Sequence, residues 1–272
     1  MITAAFQLAF CMVVFTVIER LSPAASPHKW WRRPLFIDIC GWLVLPIAVS
    51  TGISAAVLLS DSLKTWLLVA GHDPFSHMRT WMGSLPMSIQ SALAFIFMDF
   101  SSYWIHRAYH RFQFLWSFHV FHHTSEHLDW LSTLRLHPVS QMFNTALMAL
   151  VLLLAGFSVQ SVIVSNIVIG LAAVVAHANV RWTFGPLGQL FVSPVFHQFH
   201  HAHPDKSEIE TATNFGAVLS IWDKIFGTAA RPNVAPPARF GVNQAIGSNL
   251  WSMLLYPLRI FSRARVQRRL DD

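Results

Sequence analysis

Charge is scarce in this chain. Only 12% of its 272 residues are Asp, Glu, Lys or Arg, against roughly 25% in an ordinary soluble domain, and 54% are hydrophobic. That excludes an ordinary soluble globule and places the chain in a bilayer. Cysteine is scarcer still: Cys11 and Cys40 both fall in apolar segments, so neither a disulfide framework nor a thiolate metal site has material. Metal chemistry here has to run on imidazole. Length sets a further bound. Residues 1–272 suffice for a single membrane domain but not for an added soluble domain of about 100 residues, so any electron-transfer module is expected on a separate protein. The formal charge of +6 raises nucleic acid as a partner. The basic residues are not interleaved with aromatics on a polar face, so no nucleic-acid partner is expected.

What the chain does have is long uncharged runs. Residues 2–18 form the first and read as a spanning helix rather than a cleaved signal, since no Lys or Arg precedes them. The second, 35–60, follows the basic turn His28-Lys29-Trp30-Trp31-Arg32-Arg33-Pro34, whose tryptophans suit a headgroup interface. Residues 63–70 are too short to cross. A third run, 86–105, leads into histidines. Residues 139–176 carry no charge at all, about twice the roughly 20 residues that one span needs, and read as a hairpin of 139–155 and 158–176 turning near Gly156. The expected fold is all-α: an integral membrane helical bundle of four to five spans with a histidine-rich helical cap built from residues 106–137 and 177–228. Between spans two and three lie only Lys64 and Arg79 of the 19 basic residues, and the excess on the other side places the cap in the cytoplasm. The basic end of the chain, Arg259, Arg263, Arg265, Arg268 and Arg269, reads either as a contact to anionic headgroups or as a solvated tail.

Twelve of the fifteen histidines follow residue 105. His106 and His110 are four apart, so on a helix their rings lie about 40° apart on one face. His119-Val120-Phe121-His122-His123 and His197-Gln198-Phe199-His200-His201 are both HxxHH, which puts the first residue on one face with the pair at i+3 and i+4. A lone histidine on an apolar face is usually a satisfied core or surface residue. Eight in ligand-spaced groups need a cation to satisfy so many ring nitrogens, and eight or nine exceed the four to six ligands of one ion. Ligand type does not name the element, since imidazole suits iron, zinc, copper and nickel.

These residues resemble the fatty acid hydroxylase and sterol desaturase superfamily. The resemblance covers Asp99 to Thr228: the approach from Asp99 through Tyr103-Trp104 to His106-Arg107, the three boxes, Arg135-Leu-His137-Pro138, His177-Ala-Asn179, Asn214-Phe-Gly216 and Trp222-Asp223 through Gly227-Thr228. It implies a non-haem di-iron centre that activates O2 to hydroxylate, or sometimes desaturate, lipids and sterols. Carried over, the metal ligands are His106, His110, His119, His122, His123, His197, His200 and His201, with His177 added by its HxN element. Some members carry a further ligand one turn before His177, where this chain has Ala173, leaving water or His137 to complete the shell. The implied cofactor is two iron ions, with zinc able to replace them on purification. The implied partners are the membrane, a lipid or sterol-like substrate and a separate donor of ferredoxin or cytochrome b5 type.

Other residues near the boxes have plainer readings beside functional ones. His137 and His203 are candidate outer or extra ligands, and His127 and His203 also read as solvated. Asp99, Asp129 and Asp223 are candidates for orienting imidazoles, Asp99 equally an interfacial charge. Asn214 reads as a water-binding or a turn residue. The aromatics Trp104, Phe112, Phe114, Trp116 and Phe118 read most simply as interfacial anchors rather than tunnel lining. His28, His72 and His77 stand alone. Desaturation and ether-lipid oxidation are alternatives on the same scaffold. A metal transporter would place ionisable groups near the bilayer midplane, and a zinc hydrolase would need only three protein ligands.

Overall fold

The computed structural model describes residues 2–24, 35–203, 212–230, 237, 239–244, 246–247 and 249–262. The basic turn 28–33, with His28, and the arginines beyond 262 lie outside them. The described residues are all-helical, with isolated β-bridges and no strand. The order is α1 (Ile2–Leu21), α2 (Leu35–Val69), α3 (Ser76–Ser84), α4 (Met87–Arg111), α5 (Gln113–His123), a 3-10 turn (Trp130–Leu134), α6 (Pro138–Leu154), α7 (Val159–His177), a second 3-10 turn (Gly185–Gln189), α8 (Pro194–His200), α9 (Ile221–Ile225) and α10 (Leu250–Leu254).

Local chemistry sets these boundaries. Pro138 opens α6 at a position where a missing N–H costs nothing. Ser158 caps α7 by accepting from Ser161 N at 3.2 Å, and Ser193 caps α8 by accepting from Phe196 N at 3.2 Å. The predicted hairpin turn is present: Gly156 sits at φ +98, and a Cβ there would lie 2.5 Å from Arg79 Cα. Only glycine accepts both conditions.

Among the described residues two helices are long and apolar enough to cross a membrane, Leu35–Val69 and Val159–His177, while Pro138–Leu154 is apolar but shorter. That is fewer than the four to five spans expected. Helix α2 also differs from expectation by absorbing residues 63–69. No glycine or proline falls between Gly52 and Gly71, so nothing stops the helix, which at about 1.5 Å per residue outruns a hydrocarbon core of about 30 Å. Its far end carries the Lys64–Asp61 ion pair at 3.6 Å.

Helix α2 lies along α6, and α4 along α7. Gly52 permits the first contact, because a Cβ there would sit 2.6 Å from Met142 O. Ala94, Met98, Ala149, Leu152 and Val162 form one core between these helices. A second core gathers Cys11, Phe15, Trp42, Trp130, Val174 and Val180 where α1, α2 and α7 meet the 3-10 turn. Both cysteines are free, as expected. Apolar side chains such as Leu43, Ile47, Leu58 and Leu59 point outward from α2, which water would penalise and hydrocarbon does not.

Candidate metal centre

Three helices deliver the histidine boxes to one place. Helix α4 runs unbroken through His106 to Arg111, α5 ends on His122 and His123, and α8 ends on His200 with His201 as its cap. His177 is the last residue of α7. All nine predicted histidines assemble there, in two groups: His106, His110, His119, His123 and His200 in one, His122, His177, His197 and His201 in the other. Within each group the candidate ring nitrogens lie within 4.8 Å of one another.

The sorting follows helix geometry. In each HxxHH box the residues at i and i+4 share a cluster, His119 with His123 and His197 with His201, while His122 and His200 join the opposite one. Consecutive residues are turned by about 100°, so His122 and His123 cannot serve one centre. The face that i, i+3 and i+4 share in each box is therefore divided between two centres.

Backbone carbonyls decide which ring nitrogen carries the proton. His106 Nδ1 donates to Phe215 O at 2.9 Å, His177 Nδ1 to Ala173 O at 2.8 Å and His200 Nδ1 to Thr213 O at 2.8 Å. In neutral imidazole the other nitrogen is then a bare lone pair. Those Nε2 atoms face more Nε2 atoms. His177 Nε2 lies 3.1 Å from His122 Nε2 and 3.2 Å from His197 Nε2, and His200 Nε2 lies 3.1 Å from His123 Nε2. His106 Nε2 and both nitrogens of His110 are buried with no hydrogen-bond partner among the described residues. Converging lone pairs repel one another unless a cation lies between them, so the donor set fits metal ions, and both groups are wholly imidazole. Burial, and secondarily neighbouring imidazoles, hold His119, His122, His123, His197, His200 and His201 well below the ordinary imidazole value. They are therefore neutral and ready to ligate at physiological pH.

The other candidates sit elsewhere. His137 caps the start of α6 and gives its Nε2 proton to Leu254 O at 3.0 Å; it belongs to neither cluster. His203 is half-buried, its backbone N bonded to Arg239 O at 2.8 Å, and is also outside both. His72 and His77 are exposed. Asp99 accepts from Val218 N at 2.9 Å, Leu219 N at 3.2 Å and Trp222 Nε1 at 2.8 Å, and Asp223 from Phe215 N and Gly216 N at 2.7 Å each. Neither carboxylate bonds to an imidazole among the described hydrogen bonds; they hold the loop whose carbonyls orient His106 and His200. Asp129 caps the 3-10 turn by accepting from Ser132 N. Asn214 is fully buried at φ 60, donates to Phe196 O and accepts from Ala230 N, so it braces the loop. Trp116 is buried against His110 and His123, at ring-centroid distances of 4.9 and 5.3 Å, instead of anchoring an interface.

Two braces escaped the sequence reading. Glu19 accepts from Trp130 N at 2.9 Å and Asn179 N at 2.8 Å, tying α1 to the segments around the histidines. Arg135 donates to Asp38 from Nε at 2.8 Å, in a pair with neither side chain exposed. The usable signal was a lone acid inside an apolar helix, which needs a partner.

A cavity of about 970 Å³ runs from the clusters between α2, α4, α6 and α7. His106, His119, His122, His177 and His197 line one end, and Ile53, Val57, Met148, Ile163 and Ile167 its apolar length. Phe118 lines it too, a role judged secondary from sequence.

A helical protein with two imidazole clusters, each able to hold a metal, at the end of an apolar cavity is the class that the geometry defines. The fatty acid hydroxylase family model matches residues 91–228, half of the chain and every clustered histidine. The chain belongs to that family and is a membrane oxidoreductase. It is 28% identical over 256 residues to the ornithine lipid hydroxylase OlsE of Rhizobium tropici, covering 93% of this chain and 73% of that one. It is 31% identical over 172 residues to the alkylglycerol monooxygenase of Danio rerio, covering 61% and 36%, and 33% identical over 141 residues to that of Homo sapiens, covering 52% and 30%. Thus it spans about a third of the length of those monooxygenases. No solved structure matches it.

Proposed function

We infer that this protein is a membrane-embedded di-iron oxygenase that uses O2 and external electrons to hydroxylate a lipid or sterol-like substrate. The observation that carries the reading is that one apolar cavity touches histidines of both clusters, His106 and His119 from one and His122, His177 and His197 from the other. A substrate chain in that cavity lies against both centres at once. Iron, when bound, supplies redox activation of O2. The protein's own part is to present nine neutral imidazoles, to fix the tautomers of His106, His177 and His200 through the Phe215, Ala173 and Thr213 carbonyls, and to keep water from the apolar wall.

In this reading residues 1–272 form one membrane domain of four to five spans, with the clusters on the cytoplasmic side and a ferredoxin or cytochrome b5 type protein as donor. Lipid analysis of cells with and without the protein tests the reaction. The expected difference is a lipid heavier by one oxygen, formed only with O2; product formed under strict anaerobiosis sinks the reading. Mössbauer spectra and metal analysis of iron-grown protein test the centre, with about two ions per chain expected. The alkylglycerol monooxygenase relatives favour one second reading, ether-lipid oxidation on the same scaffold, and the same lipid analysis separates it by cleavage of the ether.

A further inference from the structure

Most of the cavity wall is apolar, but the first turns of α6 are not. Gln141 and Asn144 both line the cavity and lie three residues apart on one face of that helix, a spacing that sets β-carbons about 5–6 Å apart. Asn144 is partly spent. Its Oδ1 accepts from the Tyr109 hydroxyl at 3.1 Å and its Nδ2 lies 2.9 Å from the same oxygen, leaving one Nδ2 hydrogen. Gln141 is nearly unspent. Its one side-chain hydrogen bond is from Nε2 to Thr145 Oγ1 at 3.5 Å, the limit of such a contact, and its Oε1 accepts from no group among the described hydrogen bonds.

An amide on an apolar helix costs free energy unless a partner is supplied, and neither residue is needed to start or cap α6, where His137 and Pro138 do that work. The unspent capacity is mixed: an acceptor on Gln141, and donors on Gln141 and Asn144. It also lies close to a cluster, since Asn144 is hydrogen-bonded to Tyr109, whose ring stacks on that of His119 with centroids 5.2 Å apart. Gln141 is one turn past His137, whose ring packs 5.0 Å from that of Phe118, the residue preceding His119.

We propose that Gln141 and Asn144 form a subsite for a lipid whose polar group both donates and accepts hydrogen bonds, an amide or a hydroxyl, and that they seat this group beside the clusters. The proposal rests on the oxygenase reading only for which carbon then reacts. An ester or ether can take the donors but leaves Gln141 Oε1 unpaired in an apolar wall, and a site built to hydrogen-bond discriminates against such an analogue.

The test is equilibrium binding to the full-length protein in nanodiscs, using a radiolabelled long-chain N-alkyl amide and the ester of the same chain. The wild type should prefer the amide by about tenfold, the scale of one or two net hydrogen bonds. Gln141→Met, of similar size but without the amide, should bring the two within about twofold while ester affinity stays at the wild-type value. Ester affinity also reports that the cavity survives, and Gln141→Leu serves the same purpose should the Met variant not fold. Equal wild-type affinities, or an amide preference intact in the variant, overturn the proposal. Because binding needs no turnover, the two readings fail separately. An amide preference in iron-loaded protein that oxygenates neither probe sinks only the oxygenase, and oxygenation of both probes at equal affinity sinks only the subsite.

Discussion

Replacing Asp99 with alanine should strip one histidine cluster of its metal while leaving the other loaded. Asp99 is fully buried in α4 and accepts three hydrogen bonds, from Val218 N, Leu219 N and Trp222 Nε1, at 2.9, 3.2 and 2.8 Å. Hydrogen bonds to a charged group are worth about 1.5–3 kcal/mol each. The removed carboxylate no longer bears its own desolvation, which offsets part of that loss, so the net destabilisation is about 3–5 kcal/mol, against about 5–15 kcal/mol for a whole protein. The damage is directed. The segment that Asp99 anchors leads back to Phe215 and Thr213, whose carbonyls orient His106 and His200, both in the five-histidine cluster. Metal analysis on purified Asp99→Ala should therefore fall from about two ions per chain to about one, with a lowered thermal midpoint in detergent. Asp99→Ala protein that keeps both ions at wild-type affinity and melts like the wild type would refute the argument, because the loop would then stand without its anchor.

Further outcomes follow from the same geometry. Arg135→Met removes the buried guanidinium that donates to Asp38 and should lower stability by about 3 kcal/mol, read by thermal or denaturant unfolding; an unchanged midpoint would make the pair dispensable. His177→Ala removes a member of the four-histidine cluster and should abolish turnover while the protein still inserts; loss of insertion in a membrane flotation assay would make His177 a folding residue. Acid should weaken the metal-free protein. The cluster histidines have folded values well below about 6.5, so their contribution is fully present above that pH and is lost as pH falls toward the folded values, at about 1.4 kcal/mol per pH unit for each. Unfolding midpoints measured from pH 7.5 down to about pH 5 check this, and a flat profile contradicts it.

Eight of the nine histidines, all but His177, which entered only through the family resemblance, were legible because helical spacing is written directly in the sequence, and so was the turn at Gly156, where an uncharged block exceeds one span. The division into five and four was not. It depends on how α5 and α8 face each other, and spacing within a box says nothing of the angle between helices. Asp99 and Asp223 read as residues that orient imidazoles, but they act on the loop behind the imidazoles, chiefly through backbone amides, which carry no side-chain signature and for Asp99 lie more than a hundred residues away. Trp116 read as an interfacial anchor because aromatic crowding near a span end has that meaning on average. In this chain α5 turns back under α4 and buries the indole against the clusters. Helix α2 ran past its expected end because sequence marks helix stops by glycine and proline, and hydrophobicity alone does not.

Neighbouring histidines on α5 and on α8 belong to different clusters, so each of these short helices supports both. A shift or rotation of either helix that improves one centre displaces the other through a single rigid turn of backbone. Movement of α5 or α8 is thus felt at both centres, unlike loss of the loop carbonyls, which orient only His106 and His200 of the five-histidine cluster. The apolar stretch of the cavity wall carries no such double duty: Ile53, Val57, Met148, Ile163 and Ile167 line the cavity without belonging to either cluster, so substitution there changes what fits against the clusters and leaves their ligands in place.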